Sequence, residues 1–165
     1  MRDMPMLNVH MLSTFTISST ILKHLFWMDG LQILLNSIVV MFSDVIIDLG
    51  HGEEGRSWIT HSVASAPIVA LTPYIMLESL KALILPGTLQ PIQQILDIFY
   101  SPAIVFLSII NGFMHLFWDS LTTQGIHVPG IGWVSLIDTP SIGFTANIIP
   151  ISASLMIIYF FWCRV

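Results

Sequence analysis

Five apolar stretches, separated by turn residues and charges, constrain this chain more than any other feature. They run over about residues 11–27, 31–47, 62–85, 98–118 and 142–163. A helix that crosses a bilayer needs about 20 mostly apolar residues, within a range of roughly 17–25. The first stretch is thinned by Ser and Thr. The third is interrupted by Pro67 and Pro73 and carries Glu78 and Lys81 at a spacing that lets them pair on one helix face. Asp29-Gly30 and Pro86-Gly87 read as turns, Pro102 falls in a first helical turn, Pro150 predicts a kink, and Pro91–Asp97 is long enough for a short interfacial helix. Thr60 or Ser62 is the expected cap of the third helix, which would put His61 at its N-terminus.

Composition agrees with a lipid-facing fold. Hydrophobic residues make up 55% of the chain and charged residues 9%, whereas soluble domains carry about 25% charged residues. So few charges do not cover a water-facing surface. The expected class is all-α: a polytopic membrane helix bundle of about five spans, forming a single domain over residues 1–165, multi-pass, with the lipid bilayer as its principal partner. No cleavable leader is expected. The net charge of −5, without a basic run, argues against nucleic-acid binding. Cys163 is the single cysteine, so a thiolate metal site and an intrachain disulfide are both excluded.

Five crossings also sort the polar residues by side. The N-terminus, the connection after the second span and the connection after the fourth fall on one membrane face. They bring His10, then Asp44, Asp48, His51 and His61, then His115, Asp119 and His127 to that face. His24 lies at the far end of the first span, roughly 20 Å away by helix rise, and reads as an interfacial residue beside Lys23.

Asp44 and Asp48, and again His115 and Asp119, stand at i and i+4 and therefore share a helix face. His and carboxylate at that spacing are how a helix offers two ligands to one metal, and an unpaired carboxylate near the edge of the hydrocarbon, as Asp44 would be, is costly. The donors are all nitrogen and oxygen, which suits Zn²⁺ first, with Fe²⁺ or Mn²⁺ as alternatives. Their number exceeds what one four-coordinate ion needs, so either several ions or one ion with supporting carboxylates is expected. Glu53 is a candidate general base, and Arg56 a group for a phosphate or carboxylate, or a partner for Glu53 and Glu54.

The runs Ile46-Ile-Asp48-Leu-Gly-His51-Gly-Glu53, Arg56 to Thr60-His61-Ser62, and His115-Leu-Phe-Trp-Asp119-Ser-Leu-Thr-Thr-Gln-Gly-Ile126 resemble, in order and spacing, motifs of archaeal membrane proteins of unknown function. These are similar to the YdjM-type membrane-bound metal-dependent hydrolases. The separation of His10 from Asp48, and Trp133 and Asn147 ahead of a final apolar helix, fit the same pattern. The resemblance covers nearly the whole chain. It implies a metal-dependent hydrolase of a small-molecule or lipid ester, through a wider likeness to zinc-dependent phospholipase C and related nucleases. One departure is Gly55, where many members carry a histidine before the arginine. The expectation is thus a metal-dependent hydrolase with His10, Asp44, Asp48, His51, His61, His115 and Asp119 around the metal. The alternative is a non-catalytic membrane protein in which the metal is structural. A small transporter is disfavoured, because the ionisable groups gather at one face and not at the midplane.

Overall fold

The structure is a computed structural model that describes residues 7–49, 51–52, 55–84, 90–122, 124–136 and 143–163. Helices dominate it, and they follow the apolar stretches. α1 runs over Leu7–His24 and α2 over Gly30–Asp48. Asp29 caps α2 in a reciprocal arrangement: its side chain accepts from Gln32 N–H while the Gln32 side chain accepts from Asp29 N–H. That satisfies two of the donors a helix start leaves open. α3 (Ala66–Val69) and α4 (Thr72–Ile84) divide the third stretch, with Pro67 and Pro73 each near a helix start, where a missing N–H costs nothing. α5 is Gln90–Leu96 and α6 is Ser101–Ser120. α7 (Gly143–Ile158) contains Pro150 and passes into a π-helical turn over Tyr159–Cys163.

Two small antiparallel hairpins interrupt the helical plan. β1 (His51–Gly52) pairs with β2 (Gly55–Arg56), and β3 (Ile126–Val128) with β4 (Gly132–Val134). The second occupies a connection that reads as plain loop in the sequence. Its signal is Pro129-Gly130 between two runs holding Ile, Val and Trp, with Gly130 at φ 81° and Gly132 at φ 100°.

α1 packs along α2 and α7, and α2 along α6. Leu22, Ile33, Val40, Ala103, Ile104 and Leu107 form the apolar core at the end of the bundle where α1 finishes and α2 and α6 begin. Asn36 ties the same end together. Its amide donates to the Gln32 and Ile98 carbonyls and accepts from Tyr100 N–H. The opposite end carries the buried His and Asp side chains.

The outward surface is apolar: Phe42, Ile68, Met76, Leu83, Phe113 and Phe117 are all exposed. Three helical segments are long and apolar enough to cross a membrane: Gly30–Asp48, Ala66–Leu83 and Gln90–Ser120. Of the five expected spans, the first and last fall short of that measure. α1 is rich in Ser and Thr. Those side chains turn inward, and Ser18, Ser19 and Thr20 return their hydroxyls to carbonyls of the preceding turn. The final apolar helix, Asn147–Cys163, is shorter. The third span differs in detail as well. Its first helix starts at Ala66 behind Ser65, so neither Thr60 nor Ser62 caps it, and His61 lies in the turns ahead of it.

Candidate metal centre

Three helices each present a polar stripe with a four-residue spacing to the same point. α1 contributes His10 and Thr14, α2 contributes Asp44 and Asp48, and α6 contributes Asn111, His115 and Asp119. Four residues advance an α-helix by little more than one turn, so each stripe stays on one face. His61 joins from the segment between β2 and α3. That segment is pinned by its backbone: His127 N–H donates to the His61 carbonyl at 2.9 Å, and Val63 N–H to the His127 carbonyl at 3.1 Å.

His10, Asp44, His61, His115 and Asp119 are all buried, and the Asp48 side chain is 11% exposed. The donor atoms face one another. His115 Nε2 lies 3.2 Å from Asp48 Oδ1 and 3.4 Å from Asp119 Oδ2. His61 Nε2 lies 3.4 Å from Asp119 Oδ2 and 3.9 Å from Asp48 Oδ1. His10 Nε2 is 3.5 Å from Asp119 Oδ1, and its ring stacks on that of His115 with centroids 4.1 Å apart. The triads His10–His115–Asp119 and Asp48–His61–His115 each hold three donor atoms within 4.8 Å of one another.

These separations discriminate between two kinds of contact. Charge-assisted N–H···O bonds close to about 2.7–2.9 Å. The corners of a tetrahedron about an ion with bonds of roughly 2.0–2.1 Å lie about 3.3–3.4 Å apart. Three of the separations, from His115 Nε2 to Asp48 Oδ1 and Asp119 Oδ2 and from His61 Nε2 to Asp119 Oδ2, lie near the second value, while His61 Nε2 to Asp48 Oδ1 is longer at 3.9 Å. Buried His115 Nε2 and Asp119 Oδ2 also make no well-directed hydrogen bond among the described residues. The nitrogen and oxygen donors present therefore fit a divalent cation.

A further ring of contacts holds the donors in place. His115 Nδ1 is 3.0 Å from Asp44 Oδ1, which also accepts from the Asn111 amide at 3.0 Å. Asn111 in turn accepts from the Thr14 hydroxyl. The chain Thr14–Asn111–Asp44–His115 thus links three helices and turns His115 Nε2 toward the other donors. His61 Nδ1 has the Thr60 hydroxyl at 2.7 Å, leaving its Nε2 for the cluster. Trp118 Nε1–H donates to Ser13 Oγ at 3.1 Å, fastening α6 to α1 one turn from His10.

Arg56 is committed to protein acceptors. Its Nη2 donates to Asp119 Oδ1 at 2.6 Å, and its Nη1 to the Asp119 carbonyl, Thr122 Oγ1 and the Gly125 carbonyl at 3.2, 2.9 and 2.8 Å. Gly125 sits at φ 65°, and a Cβ there would run into the Val134 carbonyl. Burial pulls the Arg56 guanidinium below its ordinary pKa, while Asp119 and then Asp48 push it back up. A guanidinium stays charged under such conditions.

Of the residues expected at the site, His10, Asp44, Asp48, Arg56, His61, His115 and Asp119 come together. His51 has its backbone in β1, opposite Arg56, while its side chain lies outside the described residues, as does Glu53. His127 is drawn off to the hairpin, with its ring against Trp58 and Trp133. His24 lies at the other end of α1, beside Phe161. Sequence reasoning passed over Thr14 and Asn111, and gave Thr60 a capping role where the structure sets its hydroxyl on His61 Nδ1. The signal for Asn111 is its place one four-residue step before His115 and Asp119. Comparison with known protein families, with characterised proteins and with solved structures finds no match to this chain.

Proposed function

We propose that this chain is a multi-pass membrane protein that holds a divalent metal ion, Zn²⁺ first, in its His/Asp cluster and hydrolyses an ester of a small molecule or lipid, with phosphoesters the first class to test. The observation that carries the metal reading is the pair of overlapping triads, His10–His115–Asp119 and Asp48–His61–His115, whose mostly buried donor atoms lie within 4.8 Å of one another. When bound, the ion would polarise the scissile group and make water nucleophilic near neutral pH. Asp44 orients His115, Thr60 orients His61, and Arg56 orients Asp119. Asp48 is the donor that reaches solvent, so water and substrate approach from its side. Glu53, five residues beyond it in sequence, is the candidate base that takes a proton from the attacking water. The hydrolase assignment rests on the sequence resemblance to the YdjM-type proteins. The membrane assignment rests on three span-length apolar helices and an apolar exterior.

A second reading has an observation of its own. The donor set is nearly all buried, as in a structural metal site, whereas a catalytic one keeps a position open. In that reading the ion fastens α2, α6 and the His61 segment, and nothing is turned over. One experiment separates the two. The protein is purified in detergent, its metal content is measured by elemental analysis, and phosphoesters and phospholipids are offered with and without chelator. Hydrolysis that the chelator abolishes supports the hydrolase. Stoichiometric metal without turnover, and thermal collapse on chelation, supports the structural ion. Absence of metal overturns both.

A further inference from the structure

The sequence supplies more potential ligands than one ion requires, which leaves the number of ions open. We infer that the cluster takes one divalent ion, and that the Arg56 guanidinium occupies the place and supplies the charge of a second. This deepens the metal reading and depends on it.

Three observations carry the inference. The first is the sharing of His115. Both candidate triads use it, and its Nδ1 faces Asp44 Oδ1 at 3.0 Å. Only Nε2 is left, and an imidazole nitrogen has a single lone pair to give. The two triads are therefore alternatives and not two halves of a dinuclear centre.

The second is the division of Asp119. A carboxylate that joins two ions gives one oxygen to each. Here Oδ2 faces His61 and His115, whereas Oδ1 accepts from Arg56 Nη2 at 2.6 Å with His10 Nε2 at 3.5 Å. The oxygen that would reach a second ion already accepts from the guanidinium, and the positive charge 2.6 Å away opposes a second cation there. Three further acceptors hold that guanidinium from behind.

The third is charge. Among the described residues of the cluster, Asp44, Asp48 and Asp119 stand against Arg56 alone. With neutral imidazoles, three carboxylates and one guanidinium leave two negative charges, which one divalent ion neutralises. Two such ions would leave a buried excess of positive charge, and an unbalanced charge in the interior is expensive. Arg56 is thus a positioning residue. It keeps Asp119 a one-oxygen ligand and leaves His10 stacked on His115 at the edge of the set.

The test counts ions and reads their geometry. Elemental analysis of the purified wild-type protein should give one divalent ion per chain. Two ions per chain would overturn this inference and leave the metal reading standing; none would overturn the metal reading, and this inference with it. The protein is next loaded with Co²⁺, whose visible d–d bands are intense at a tetrahedral site and weaken as coordination number rises. Arg56→Gln frees Asp119 Oδ1 to join Oδ2 on the ion, so the bands should lose intensity, whereas Arg56→Lys, which keeps a cation beside Oδ1, should retain the wild-type spectrum. An unchanged spectrum in R56Q would show that Arg56 does not set how Asp119 binds, and would overturn its proposed role. Should R56Q fail to fold, the wild-type ion count and the R56K spectrum still decide: loss of the tetrahedral bands in R56K overturns it equally.

Discussion

Asp44 and Asp48 are the same residue type four positions apart on one helix face, yet their surroundings give them different work. Asp44 is buried, and one of its oxygens meets His115 Nδ1 and the Asn111 amide. Asp48 faces His115 Nε2 and reaches solvent. Sequence spacing brings both to the site but does not rank them, because the ranking depends on which imidazole nitrogen each one meets. In the metal reading, Asp44→Asn keeps the shape and weakens the orientation of His115, so metal affinity should fall about 10–100-fold with stoichiometry unchanged. Asp48→Ala removes a donor and should lower the stoichiometry itself. Titration against a competing chelator distinguishes the two, and equal behaviour of both variants would refute the division of labour. Asp119 carries a further load as the carboxylate partner of buried Arg56. Asp119→Ala leaves that cation uncompensated, which costs about 3–5 kcal/mol. Thermal unfolding in detergent should reveal this even in protein stripped of metal, and an unshifted midpoint there would contradict it.

Helix α6 shows how a single element serves both packing and chemistry. Its Asn111, His115 and Asp119 face the cluster, while Phe106, Phe113 and Phe117 face outward. Between them Gly112 lies against α3: an added Cβ would stand 2.6 Å from Pro67 Cα and 2.9 Å from Pro67 N. Backbone does not yield to such a contact as a side-chain tip does. Gly112→Ala should therefore cost about 1–3 kcal/mol through overpacking. It should also weaken metal binding, because α3 follows directly on the segment that carries His61. A variant as stable as the wild type would show that the helices separate freely. The periodicity of α6 was open to inspection in the sequence, as were the i, i+4 pairs and the choice of His10 over His24 by counting spans. The approach of Gly112 to Pro67 was not, since it depends on which helices become neighbours. The β3–β4 hairpin was partly visible in Pro129-Gly130, and its use was hidden: through His127 it clamps the backbone of His61, a contact between residues far apart in the chain. The inward turn of the α1 hydroxyls was hidden for a related reason. Hydropathy counts each Ser and Thr as polar, whereas a hydroxyl that returns to its own helix needs no water.

At the scale of the whole molecule, the apolar core and the polar cluster occupy opposite ends of one bundle. The core residues Leu22, Ile33 and Ile104 lie where α1 ends and α2 and α6 begin, and His10, Asp48 and Asp119 lie at the reverse ends of the same helices. A chain that runs back and forth in this way delivers its donors to one side only if α1, α2, the α3–α4 segment and α6 alternate in direction. The metal reading and the five-crossing reading therefore share a requirement. Three of the five segments are long and apolar enough to cross by themselves. α1 would be carried by its packing against α2 and α7, which covers its Ser and Thr side chains. Five crossings put the two chain termini on opposite sides of the membrane, whereas loss of either α1 or α7 as a crossing leaves them on the same side. Reporters that are active on one side only, fused in turn to the N-terminus and the C-terminus, should give opposite readings. A cysteine introduced at the exposed Ile131 should then be labelled from the side of the N-terminus, together with the polar end of the bundle. Readings of the same sign from both termini would reduce the count to four. Labelling of I131C, with the exposed Cys163 replaced by Ser, would then tell which end segment stays out of the bilayer: agreement with the N-terminal reporter points to α7, and disagreement points to α1.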